Sequence, residues 1–162
     1  MTEFESRRKG TKTIAWIVLI TLVIGVGGGW LIAALTKSSS STPGSVYATT
    51  ANGGSLITDG KDTLLTLKAV GNTVVKVDTD TRAAEPTDAA EFFSGWNDQF
   101  GDDARQAVVT GTTPDGDVQV VLKITNATFS EIGYVVTFDA DVVSGPDTIR
   151  DLSDVTLFID AD

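Results

Sequence analysis

The sequence predicts a mostly β (α+β) chain, with a single transmembrane helix followed by a small β-sandwich-like domain of about six to seven strands and one amphipathic helix. Three observations carry this expectation. Residues 14–35 hold no ionisable side chain, which suits a membrane-spanning helix. From residue 46 to residue 159, short runs rich in Val, Ile, Leu and Thr recur between turn signals, the pattern of strands. One segment after Pro86 instead spaces its aromatic residues at helical intervals.

The N-terminal elements come first. Residues 1–13 form a basic tail with Arg7, Arg8, Lys9 and Lys12. Residues 14–35 number 22 and have Thr21 as their one polar side chain. At 1.5 Å per residue such a helix reaches about 33 Å, enough for a hydrocarbon core of about 30 Å. Only Lys37 follows the apolar run closely, so the positive-inside rule places the N-terminus in the cytoplasm. The C-terminal domain is then expected outside the cell membrane, on the periplasmic or extracellular side. A cleaved signal peptide is the rival reading, with Ile32-Ala33-Ala34 as its cleavage context. Signal h-regions usually run to only about 7–15 residues, which favours an uncleaved anchor.

Within the span, Gly25, Gly29 and Ala33 recur every four residues and so share one helical face. A stripe of small residues lets a second helix approach closely, which points to packing against other membrane subunits. Residues 36–45 are dominated by Ser and Thr and are expected to act as a flexible linker.

The domain is expected over residues 46–162. Residues 64–70 and 74–77 read as strands, and Gly71-Asn72 between them as a hairpin turn. Residues 108–112 and 118–124 flank Thr113-Pro114-Asp115-Gly116-Asp117. Proline presets φ there and glycine accepts the positive φ that follows, so this hairpin is the best specified. Residues 134–143 and 155–159 are further strands around a Gly145-Pro146-Asp147 loop, and residues 46–50 offer one more. Between these strands, Thr87 is expected to cap a helix reaching Phe100, with Asp88 and Glu91 in its first turn. Ala89, Phe92, Phe93, Trp96 and Phe100 would form its buried face.

Composition narrows the chemistry. The chain has no cysteine and no histidine, which removes disulfides, thiolate metal sites, cysteine nucleophiles and every histidine-based mechanism. Residues 44–162 carry 7 basic and 20 acidic side chains, so nucleic acid is not an expected partner. The pairs Asp78/Asp80, Asp102/Asp103, Asp115/Asp117 and Asp139/Asp141 lack EF-hand spacing. Asp115/Asp117 reads as turn chemistry. Asp78/Asp80 and Asp139/Asp141 are i, i+2 pairs on expected strands, where each pair would share a face and could hold a hard cation. No catalytic residue, cofactor site or metal site is assigned.

Two resemblances extend this reading. Val77-Asp78-Thr79-Asp80-Thr81-Arg82, Phe92-Phe93-Ser94-Gly95-Trp96 and Gly101-Asp102-Asp103-Ala104-Arg105-Gln106-Ala107 together resemble a family of small exported bacterial β-rich domains of unknown function. That family places a strand ending in Phe-x-Asp-Arg-Pro before a Phe-x-x-x-Trp helix and a Pro-Pro-Asn-Ala segment. This chain departs from it at Asp80-Thr81-Arg82 and Ala104-Arg105-Gln106, and the resemblance implies export and element order without implying a catalytic residue. The overall architecture is also similar to single-span accessory subunits of the actinobacterial respiratory supercomplex, which joins a cytochrome bc complex to its oxidase. The expected function is a non-catalytic membrane-anchored interaction subunit. The alternative is an exported ligand- or cation-binding domain.

Overall fold

The computed structural model describes residues 44–161. The expected tail, span and most of the linker lie outside the described residues. Among those described, no helix is long and apolar enough to cross a membrane.

The chain order is β1 (Ser45–Asp59), β2 (Asp62–Val70), β3 (Thr73–Asp78), β4 (Ala84–Asp88), α1 (Ala89–Ser94), α2 (Trp96–Phe100), β5 (Arg105–Thr113), β6 (Gly116–Ser130), β7 (Val135–Ser144) and β8 (Ile149–Asp160). All strands join one antiparallel sheet of order β2-β7-β6-β5-β8-β1-β3-β4, and β2 also pairs with β1. That extra pairing closes β1, β2, β7, β6, β5 and β8 into a barrel. The domain is therefore mostly β as expected, with opposing walls facing each other across one core in the manner of a sandwich. The walls belong to one continuous sheet, and the strand number is eight rather than six or seven.

The length of β1 makes the closure possible. Its first part, Ser45 to Ala48, pairs with β3, and Ala51 to Asp59 pairs with β2 on the same side. The other side pairs with β8. Gly71-Asn72 is consequently not a hairpin turn. It is a step that carries the chain from one partner position on β1 to the next, held by Gly71 N–H donating to Thr50 O at 2.8 Å. A local turn signal does not say whether the chain reverses.

The hairpin at residues 113–117 forms as expected. Thr113 faces Gly116, and the Thr113 hydroxyl donates to Gly116 O at 2.9 Å. The expected helix changes at both its start and its middle. Thr87 lies in β4, paired with Val74, and Asp88 is the cap, accepting from Glu91 N at 3.1 Å. Pro86 sits in β4, an edge strand, where its missing N–H leaves no ladder bond unmade. Gly95 then divides the helix into α1 and α2.

The aromatic face survives that break. Ala89, Phe92, Phe93, Trp96 and Phe100 all join the buried core. Phe92 lies 4.8 Å from Tyr47, Trp96 4.6 Å from Phe100, and Trp96 5.2 Å from Phe138, between ring centroids. Aromatic pairs in such tilted geometries add about 0.5–1.5 kcal/mol each beyond area burial. The two helices contact β6, and their rings meet inward-facing residues of β1, β6 and β7.

Candidate functional site

Three features stand apart from the main core. The first is a second apolar layer. Val46, Val75, Val108 and Phe158 are buried, at 9%, 6%, 0% and 8% exposure, yet none belongs to the main core. The register links them across the sheet: Val108 faces Phe158, Phe158 faces Ala48, and Ala48 faces Val75. Their strand neighbours Val74, Val109, Leu157 and Ile159 point into the core, so these four occupy the opposite face. Alternation fails here in a legible way, because Val74-Val75, Val108-Val109 and Leu157-Phe158-Ile159 are consecutive apolar residues. Such runs mark strands buried on both faces, and they are legible in the sequence.

The second feature is a groove of about 470 Å³ lined by Gly53, Lys68, Pro114, Arg150, Asp151 and Ser153, among others. Gly53 pairs with Lys68 on β2 and with Ser153 on β8. A glycine at the centre of that row leaves the space between its neighbours empty. On β8, Gly54 faces Leu152 and Leu56 faces Ile149, so Arg150 and Asp151 together stand opposite Ser55 alone. This is a β-bulge, which bends a strand and re-aims its side chains. Neither Lys68 nor Arg150 has a hydrogen-bond or ion-pair partner among the described residues. Nothing in the local sequence pattern marked these residues, because the groove exists only where β1, β2 and β8 meet the β5–β6 turn.

The third feature is a groove of about 450 Å³ where α1 and α2 meet the β3–β4 ribbon, lined by Tyr47, Lys76, Glu85, Glu91, Phe92 and Gln99, among others. Gln99 Nε2 donates to the Tyr47 hydroxyl at 2.9 Å. Lys76 faces Glu85 directly across the ladder, so its charge is opposed within the groove.

The expected acidic pairs separate on inspection. Asp139 and Asp141 share the outer face of β7 and are exposed. Asp139 Oδ2 accepts from Asn126 Nδ2 at 2.9 Å, and Asp141 faces Lys123. Asp78 and Asp80 do not share a strand face: β3 ends at Asp78 and Asp80 lies in the turn, its N–H donating to Asp78 Oδ1 at 3.0 Å. Asp115 and Asp117 belong to the β5–β6 hairpin, where Asp117 accepts from the Thr112 hydroxyl at 3.1 Å. Among the described residues, no three acidic side chains converge as a metal-binding group. Gly25, Gly29 and Ala33 lie outside the described residues. No family model, no curated protein and no solved structure matches the chain.

Proposed function

We propose that the chain is a non-catalytic accessory subunit, anchored by residues 14–35 with its N-terminus inside, whose barrel domain serves an interaction within a larger membrane complex. The observation that supports this reading is the apolar run of residues 14–35 with its small-residue stripe, Gly25, Gly29 and Ala33, which suits a membrane helix packed closely against another. The outer row of Val46, Val75, Val108 and Phe158 is already shielded, at 9% exposure or less, and is not an open docking face. The architecture resembles accessory subunits of the actinobacterial respiratory supercomplex, so a cytochrome bc–oxidase assembly is the first partner to test. No observation favours the cation-binding alternative.

The test is purification of the full-length chain from native membranes in gentle detergent, followed by mass spectrometry. Stoichiometric membrane subunits are expected to accompany it. They are expected to be lost in a Gly29→Leu variant, whose bulky side chain blocks close helix approach. Recovery of the bait alone, or an unchanged set of partners with the Gly29→Leu protein, overturns the proposal.

A further inference from the structure

The groove over Gly53 unites features that the interaction role does not use. Lys68 stands on one side of Gly53 and Ser153 on the other, in one row across β2, β1 and β8. The bulge at Arg150-Asp151 brings a guanidinium to the same groove, and Thr113-Pro114 closes a further side. Two of the 7 cationic side chains in residues 44–162 therefore meet on one groove of a domain that carries 20 acidic ones. Its volume, about 470 Å³, falls within the usual range for small-molecule sites.

We propose that this groove binds a small organic carboxylate. Lys68 and Arg150 offset Asp151 to leave one net positive charge, which matches a monoanion. The planar guanidinium of Arg150 presents paired N–H donors in the spacing of carboxylate oxygens, and Lys68 supplies a second, mobile ammonium. A phosphate dianion would leave its second charge facing Asp151 without compensation. Gly53 presents bare backbone to the apolar body of the ligand, and Pro114 provides an apolar edge. Gly54 cannot acquire a side chain, because a Cβ there would lie 2.6 Å from Thr66 O, so this part of the floor is fixed by the barrel.

The site is independent of the proposed membrane partner, and the two fail separately. The experiment is a thermal-shift and calorimetric titration of the full-length chain in detergent micelles with benzoate, against phosphate and chloride at equal ionic strength. Benzoate is expected to raise the melting temperature, with an affinity weakened by about tenfold, or 1.4 kcal/mol, in Arg150→Gln and in Lys68→Gln. Lys123→Gln, which alters a cation outside the groove, is expected to bind as the wild type does. Circular dichroism of the unliganded variants checks that the barrel is retained, and Lys68→Gln carries the test if Arg150→Gln fails to fold. Absence of a benzoate response, an equal response to phosphate, or binding that survives substitution of Lys68 or Arg150 overturns the proposal.

Discussion

Asp78 shows how one side chain can end a strand and start a turn. Its Oδ1 accepts from Thr81 N at 2.7 Å and from Asp80 N at 3.0 Å. The Thr81 N–H is the main reason its carboxyl titrates below the ordinary value, with the Thr81 hydroxyl, the Asp80 N–H and Lys76 acting in the same direction. A carboxylate with a lowered folded pKa contributes stability that is complete above its unfolded value of about 4, and loses it as pH falls through the folded value. Asp78→Asn is therefore expected to melt below the wild type at pH 7, and the gap should close as the pH falls through the folded value. A constant gap across that range would contradict the assignment. Trp96 is the other residue whose role depends on its surroundings. Its ring is fully buried, yet its Nε1 makes no hydrogen bond, so part of its packing gain is offset by an unsatisfied donor. Trp96→Ala is expected to cost about 3–5 kcal/mol through the cavity it leaves. Trp96→Phe, which also removes the orphaned N–H, should cost about 2 kcal/mol or less. Urea denaturation of both variants measures the difference. The sequence showed that Trp96 belongs to a buried face, but it gave no sign that its N–H would be left unpaired.

At the scale of elements, β1 carries the barrel. The run Ala51-Asn52-Gly53-Gly54 looks like a loop because glycine and asparagine disfavour strands, yet it lies in the middle of a 15-residue strand. Close approach explains the glycine. A Cβ on Gly54 would lie 2.6 Å from Thr66 O and 3.0 Å from Leu67 Cδ2, so any side chain would push β1 and β2 apart at the seam that closes the sheet. Gly54→Ala is expected to cost about 1–3 kcal/mol. Hydrogen exchange should show the loss first in the β1–β2 and β2–β7 ladders, with the β5–β6 hairpin protected for longer. That hairpin was readable because its specification is local: Pro114, Asp115 and Gly116 set the turn without reference to the rest of the chain. β4 was missed for the opposite reason. Ala84-Glu85-Pro86-Thr87-Asp88 has neither alternation nor strand propensity, and it is held as a strand by pairing with β3.

At the scale of the whole molecule, the proposed span and the domain are probed separately. The stripe Gly25, Gly29 and Ala33 is a sequence argument. Its test is Gly29→Leu, expected to weaken co-purification with membrane subunits because a bulky side chain blocks close helix approach. The sequence by itself determined the β-rich class, the β5–β6 hairpin, the aromatic face after Pro86, the acidic surface and the absence of histidine and cysteine chemistry. Each of these depends on residue type or on spacing within a few positions, which the chain states directly. Only the tertiary structure decided that β2 and β3 share one side of β1, that the sheet closes, that Gly54 must be bare, and that Lys68 and Arg150 meet over Gly53. Those features join residues as far apart as 53 and 153. Pairing between distant strands is set by competition for the same backbone groups across the whole fold, and local sequence does not record its outcome.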